Sequence, residues 1–401
     1  MKKPLLLFFG VLLVLLPVVS RAADFGLVLD QSVGYGGAAL DYTGVLLPRF
    51  TTSFGNFGSL YVSAGVVVEY PGTNVNGMLN VVPELLRTEL WIFDRADLRM
   101  GRLYYSDPLG FIADGLFDGL RYTYEASVGS FSAGLWYTGL LYKSRARIAM
   151  TAEEQKSYNV KFNYDGDFWN TYFAPRRVLS ALDWEHPGLG GLLRARLSLL
   201  AQFDLAETYL HSQYLTGKIS LPLGAFLLDL GGSFELFESK ENSDKIGMAF
   251  ATEAGTSWTL STAFGSRLSL LGRYSSGEMN STIGAFSPLT TKSQSAILQP
   301  KVPGTTMVYL DYAARFHRTF SASLSSSYFI RNDLVTYSGY LSDAQNGRFL
   351  GNEFFGRLYW SPFSDIQLTL GGGIFLPFLG DVAPKSKSVW WADASLVISL
   401  Y

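Results

Sequence analysis

Residues 193–204 read Leu-Arg-Ala-Arg-Leu-Ser-Leu-Leu-Ala-Gln-Phe-Asp. Leu193, Ala195, Leu197, Leu199, Ala201 and Phe203 fall on one parity, and Arg194, Arg196, Ser198, Gln202 and Asp204 on the other. Successive side chains of a strand point to opposite faces, so this stretch predicts one greasy face and one charged face. The same rhythm runs from Phe25 to Tyr401, in stretches of roughly ten residues separated by turn-formers. Repeated around a closed sheet, it predicts a transmembrane antiparallel β-barrel, apolar outside and wet inside. Size agrees. About ten residues rising roughly 3.3 Å each and tilted near 45° cover about 23 Å, close to an apolar band of about 25 Å.

Composition points the same way. The chain has 401 residues, 41 Gly, 23 Tyr, 29 Phe and no Cys. Charged residues make up 16%, against about 25% in soluble domains. No stretch after the N-terminus holds 18 uninterrupted apolar residues, so helical spans are not expected. A formal net charge of −2 gives no argument for nucleic acid as a partner. Without Cys there is no lipidation site, disulfide or thiolate metal site. Residues 1–22 read as a signal peptide. Lys2 and Lys3 precede an apolar run from Pro4 to Val19, and Ser20-Arg21-Ala22 offers a cleavage site. Residues 23–401 then form a single barrel domain, and the expected location is the cell outer membrane.

The pattern gives about eighteen strands, with sixteen as the alternative count. Connections alternate in length. Short ones include Ser53–Phe57, Pro187–Gly191 and Leu221–Gly224; long ones include Ser106–Leu116, Lys143–Pro175 and Gly277–Gly304. Such barrels have short periplasmic turns and longer external loops, so both termini are expected to be periplasmic. The connection near Asp204–Glu207 breaks the length rule.

The outward set is apolar, as in Leu268, Leu270 and Tyr274 or Leu396, Ile398 and Leu400. Trp91, Trp184, Trp360 and Trp390 sit near strand ends, where interfacial girdles form. The inward set is charged, with Arg far commoner than Lys. Candidates for a solute path are Arg87, Arg102, Asp118, Arg121, Glu125, Arg194, Arg196, Arg273, Asp311, Arg315 and Arg357. A guanidinium is planar, always charged, and binds carboxylates with two prongs. Such residues can line a polar path for an acidic or hydroxyl-rich solute, or they can brace the lumen. Inward Arg and inward acids are nearly equal in number, so neither anion nor cation preference follows.

Residues 98–124, LRMGRLYYSDPLGFIADGLFDGLRYTY, place Gly101-Arg102 before a loop and Phe117-Asp118-Gly119-Leu120-Arg121 after it. Residues 351–380, GNEFFGRLYWSPFSDIQLTLGGGIFLPFLG, combine an early acid with a Gly-rich strand. These segments resemble the alginate-export family of eighteen-stranded outer-membrane porins. The resemblance implies a monomer with Arg102, Asp118 and Arg121 in the lumen near a constriction, and loop 106–116 folded over it. Asp118-Gly119 also reads as a turn start, with Gly supplying backbone freedom. Pro377-Phe378 departs from the family's Pro-Gly. An aromatic C-terminus such as Tyr401 fits insertion by the barrel assembly machinery, although it shares a parity with Asp393 rather than with the apolar face.

An enzyme is not expected. The three His are His186, His211 and His317, and none forms a motif with an acid and a nucleophile. No nucleophile elbow, phosphate loop or dinucleotide fingerprint occurs, and no cofactor or metal is implied; Glu153-Glu154 is at most a weak Ca²⁺ candidate. The expected partners are outer-membrane lipid, the assembly machinery and small polar solutes. The expected function is a porin-like channel for small hydrophilic solutes, acidic ones included. The alternative is a structural or adhesive surface barrel, its lumen closed by residues 143–175 and 277–304.

Overall fold

A computed structural model describes residues 23–37, 39–55, 57–71, 80–93, 97–150, 152–158, 162, 167–207, 209–240, 245–260, 264–279, 282–334 and 346–400. The signal-peptide reading of 1–22 and the terminal Tyr401 lie outside them.

The chain forms one 18-stranded antiparallel sheet. The strands are β1 (Ala23–Gly36), β2 (Ala39–Ser53), β3 (Gly58–Pro71), β4 (Asn80–Phe93), β5 (Asp97–Ser106) and β6 (Asp114–Ala126). They continue with β7 (Gly129–Tyr137), β8 (Arg177–Leu189), β9 (Leu193–Asp204), β10 (Leu210–Leu223), β11 (Phe226–Ser239) and β12 (Lys245–Leu260). The last six are β13 (Ser266–Ser275), β14 (Thr305–His317), β15 (Phe320–Arg331), β16 (Phe349–Phe363), β17 (Ile366–Leu376) and β18 (Val389–Leu400). Each strand pairs with its chain neighbours. The sheet closes where β1 meets β18, Leu27 opposite Leu400. Closure removes the sheet edges, as a sheet surrounded by lipid requires. Among the described residues no helix is long and apolar enough to cross a membrane.

The alternation of connection lengths is real. On the rim that carries both chain ends, the connections are 54–57, 94–96, 127–128, 190–192, 224–225, 261–265, 318–319 and 364–365. The opposite rim carries the long excursions 107–113, 138–176, 276–304, 332–348 and 377–388. It also carries the connections 72–79 and 240–244, and two further short ones, residues 37–38 and 205–209.

The β9 parity sorts as the rhythm predicts: Leu197, Leu199 and Phe203 are exposed, while Ser198, Gln202 and Asp204 are buried. Trp360 and Trp390 also face outward. Trp91 corrects the girdle expectation. It pairs with Ser59 and Arg99, and the Arg99 guanidinium lies 5.7 Å from its ring centroid. Arg99 lines a wet cavity with Arg121, so Trp91 belongs to the inner side.

The β4–β5 ladder is the shortest among the described strands, from Phe93 opposite Asp97 to Glu89 opposite Gly101. Beyond it the β5–β6 hairpin leans inward. Its second face, with Arg102, Tyr104 and Asp114, meets Asp30, Ser32, Thr43 and Glu69 of the β1–β3 inner wall across a cavity of about 650 Å³.

Candidate functional site: a constricted, charged lumen

Three inward segments build the constriction. Residues 107–113 follow Asp107, a buried carboxylate. It accepts the backbone N–H groups of Leu109 at 2.8 Å, Gly110 at 3.0 Å, Ile112 at 2.9 Å and Ala113 at 3.0 Å. Burial pushes its carboxyl above the ordinary range, and the four N–H bonds pull the other way. Gly110, at φ +69°, makes the turn that brings these donors together. The loop's apolar side, Phe111, Ile112 and Ala113, is fully buried.

Residues 276–304 come from the other side of the barrel. Glu353 accepts the N–H groups of Ala296 at 2.9 Å, Ile297 at 3.2 Å and Leu298 at 2.9 Å. Glu235 accepts that of Ser287 at 2.8 Å. The two loops then lace together. Thr290 N–H donates to the Ile112 carbonyl at 3.0 Å, and Lys292 Nζ donates to the Gly110 carbonyl at 2.7 Å and the Asp114 carboxylate at 2.8 Å. The third segment, 138–176, joins where Ala149 N–H donates to the Leu289 carbonyl at 2.8 Å. Together they bury Phe111, Leu289 and Phe286 against Leu179, Ala181, Leu200, Tyr214, Ala249 and Ala251 of the β8–β12 wall. Inner-face apolar residues on otherwise polar parities are the one sequence signal that marks where the loops press.

The candidate lumen residues fall into groups. Arg121, Glu125 and Arg196 line one cavity of about 390 Å³ with Asp97, Arg99, Asp183 and Glu185. Arg194 shares their parity and pairs with Ser220 near the short-turn rim. Arg273, Asp311 and Arg357 line another, of about 620 Å³, with Arg267, Lys292 and Glu353. Its four cations face two carboxylates, one of them held by loop N–H groups. Arg273 bonds Glu253 at 2.6 Å and lies 4.3 Å from the Phe111 centroid. Arg315 lies at the short-turn rim, exposed, donating to the Arg318 carbonyl at 3.2 Å. Arg87 stands on β4 opposite Ser63; its side chain lies outside the described residues.

Arg102 and Asp118 depart from the expected grouping with Arg121. They are register partners on β5 and β6, joined by two bonds at 2.8 and 2.7 Å. Arg121 lies three positions after Asp118, an odd offset, so they occupy opposite faces of β6. The hairpin's inward lean makes both faces polar. Asp118-Gly119 is no turn start: both lie inside β6. Gly119 is there for close approach, because an added Cβ would sit 2.1 Å from the Leu135 carbonyl oxygen and 2.7 Å from Trp136 Cα.

Other candidate chemistry is occupied structurally. His186 Nδ1 accepts Gly188 N–H, His211 Nδ1 accepts Asp204 N–H, and His317 bonds Thr319. Glu154 pairs with buried Arg177 at 2.9 Å. Among the described residues no group of His, Asp and Glu could hold a metal ion.

A closed 18-strand barrel with inward loops and a charged lumen defines the fold of the outer-membrane porins. Among solved structures it is similar to OccK2 (OpdF) of Pseudomonas aeruginosa, at 13% identity and a TM-score of 0.63, covering 95% of this chain and 98% of that one. The same porin in complex with glucuronate matches at 12% identity and a TM-score of 0.62, covering 95% and 99%. A double variant of OccD1 (OprD) matches at 13% identity and a TM-score of 0.62, covering 95% and 96%. No family model matches the sequence, and no curated protein matches it. These neighbours are Occ porins, not the alginate-export family.

Proposed function

We propose that the protein is an outer-membrane channel through which small hydrophilic solutes, acidic ones in particular, diffuse. The observation that carries this is a cavity left open beside the packed loops. The inward loops pack on the β8–β12 wall and, through Leu298, on Met307 and Phe329 of β14 and β15, and a cavity lined by Arg267, Arg273, Lys292 and Arg357 stays open beside them. A guanidinium row reads carboxylates. The glucuronate held by the OccK2 structure supports the acidic class. Alginate is also built of uronates, so the resemblance of residues 98–124 points to the same chemistry. The laced constriction favours single small acids over a polymer.

The matching fold also supports insertion by the barrel assembly machinery and a monomeric state. The test is conductance of the refolded protein in planar bilayers, with glucuronate as blocker. Stepwise currents that glucuronate interrupts are expected; absence of any step at any voltage rejects the reading. The interlocking of segments 107–113, 138–176 and 276–304 favours a second reading, a loop-closed adhesive barrel. In that case removing residues 282–300 opens large currents from a silent protein and abolishes ligand binding.

A further inference from the structure

The long excursion 138–176 carries an aromatic cluster of its own. Tyr172 is fully buried and packs against Tyr142 and Phe168, with ring centroids 5.0 and 4.9 Å away. Phe162 meets all three rings edge-on. The short helix Phe168–Tyr172 is tied at its start, where Thr171 donates its N–H at 3.2 Å and its hydroxyl at 2.6 Å to the Asp167 carbonyl. Phe173 follows the helix and forms a β-bridge with Tyr142. The loop therefore has a small core that fixes its surface.

Trp169 stands on that core and is 75% exposed. Its indole stacks on Phe173, with centroids 5.6 Å apart and planes 17° from parallel, and Phe168 meets it edge-on. A large apolar side chain gains about 1.5–3 kcal/mol from full burial. This one is instead held in water on a fixed support, so a ligand that covers it orders little side chain on binding.

Trp169 and Phe173 line a cavity of about 630 Å³, within the range of about 300–1,000 Å³ of small-molecule sites. Tyr158, Asn170, Arg176 and Glu207 share the lining. The cavity sits on the external rim above β7–β9, outside the lumen. Arg177 is buried on the inner side, opposite Asp204 and bonded to Glu154 at 2.9 Å. Arg176, next to it in the chain, is exposed and lies across Gly139, where an added Cβ would sit 2.8 Å from its Cγ. The Arg176 carbonyl accepts Leu205 N–H at 3.0 Å, which brings the 205–209 turn and Glu207 alongside.

The polar groups select the ligand. Glu154 also lines the cavity and is engaged by Arg177. Asn170 donates to both Asp167 oxygens, at 2.9 and 3.1 Å, so its Oδ1 is left to accept. Arg176 and Glu207 are exposed and make no ion pair among the described residues. The site thus offers one donor group and two acceptors beside aromatic faces. Hydroxyls both donate and accept, so a hydroxyl-bearing ring satisfies all three. A carboxylated ring would meet Glu207 and Glu154. A lipid tail would need aliphatic walls, and no Leu, Ile, Val or Met occurs among the described residues that line the cavity. The C–H face of a sugar ring carries partial positive charge and suits the negative face of an indole.

We propose that Trp169, Asn170, Arg176 and Glu207 form a binding site for neutral pyranose units on the outer rim of the barrel. The sugar can come from the lipopolysaccharide core of the surrounding leaflet or from a free glycan outside the cell. The site goes beyond the channel reading, because it lies outside the solute path.

The test is fluorine NMR of the detergent-folded barrel labelled with fluorotryptophan. The resonance absent from Trp169→Phe is that of Trp169. Each variant is first checked for the heat-modifiable folded band on gels. Methyl β-glucopyranoside is expected to shift the Trp169 resonance saturably. Sorbitol, which has the hydroxyls without the ring, should act at least about tenfold more weakly. Arg176→Gln combined with Glu207→Gln should weaken the glucoside about fivefold. Core oligosaccharide released from lipopolysaccharide and dextran separate the two sources. Tighter binding of the first assigns the surrounding leaflet, tighter binding of the second assigns a free glycan, and either upholds the site. No saturable shift with the glucoside, the core oligosaccharide or dextran overturns the proposal. So does an equal response to sorbitol, unchanged binding in the folded double variant, or tighter binding of methyl glucuronide than of the glucoside. The label reports this loop alone, so its failure leaves the channel reading standing, and silent bilayers leave this site standing.

Discussion

Lys292 and Asp114, 178 residues apart in sequence, meet at 2.8 Å and tie the two loops that narrow the lumen. The same ammonium bonds the Gly110 carbonyl. The tie is half exposed, so it contributes little to global stability, about 0–1 kcal/mol. Its position at the constriction gives it leverage on the passage instead. Lys292→Met is expected to leave the unfolding midpoint nearly unchanged while raising open-channel noise and mean conductance, read in single-channel recordings.

Asp107 organises its loop through four backbone N–H donors, of which that of Gly110 also reaches the Asp107 carbonyl at 3.1 Å. Replacing it with Ala leaves those donors buried and unpaired, at about 1–3 kcal/mol for each that finds no water. Hydrogen exchange at Leu109, Gly110, Ile112 and Ala113 should accelerate by at least about tenfold, with the barrel strands unaffected. Protection equal to wild type would mean that the apolar packing of Phe111 and Ile112 alone shapes the loop.

Arg177 is a buried cation shared by Glu154 at 2.9 Å, Gln202 at 3.3 Å and Asp204 at 3.7 Å. Arg177→Met strands two buried carboxylates, a cost of about 3–5 kcal/mol. A lower midpoint for urea unfolding is expected. Adding Glu154→Gln should recover part of the loss.

Gly119 tests the close approach of β6 to β7. A Val there meets the Leu135 carbonyl and the Trp136 backbone, neither of which can swing aside. Destabilisation of about 1–3 kcal/mol is expected, seen as a lower temperature for loss of the folded gel band.

Among the described residues Arg357 makes no ion pair, and it lines the open cavity. Arg357→Gln should weaken glucuronate block severalfold and shift reversal potentials away from anions. Block unchanged from wild type would remove this residue from the solute path.

The alternation in residues 193–204 was enough to define the barrel wall, and the count of eighteen strands followed from it. Alternation is a property of local backbone geometry: each side chain's face is set by its neighbours along the strand. What each face meets is not local. Leu200 and Tyr214 occupy inner-face positions because loops from distant parts of the chain press on them there. Arg102 and Arg121 are both wet although they lie on opposite faces, because the β5–β6 hairpin leaves the wall. Glu235 and Glu353 fall on inward strand parities and Asp107 in a loop, yet each is engaged by loop backbone N–H groups. The sequence by itself determined a closed, two-faced sheet with a polar interior. Only the tertiary structure decided which charges stay available to a solute, because contacts across the lumen join segments that no periodicity links.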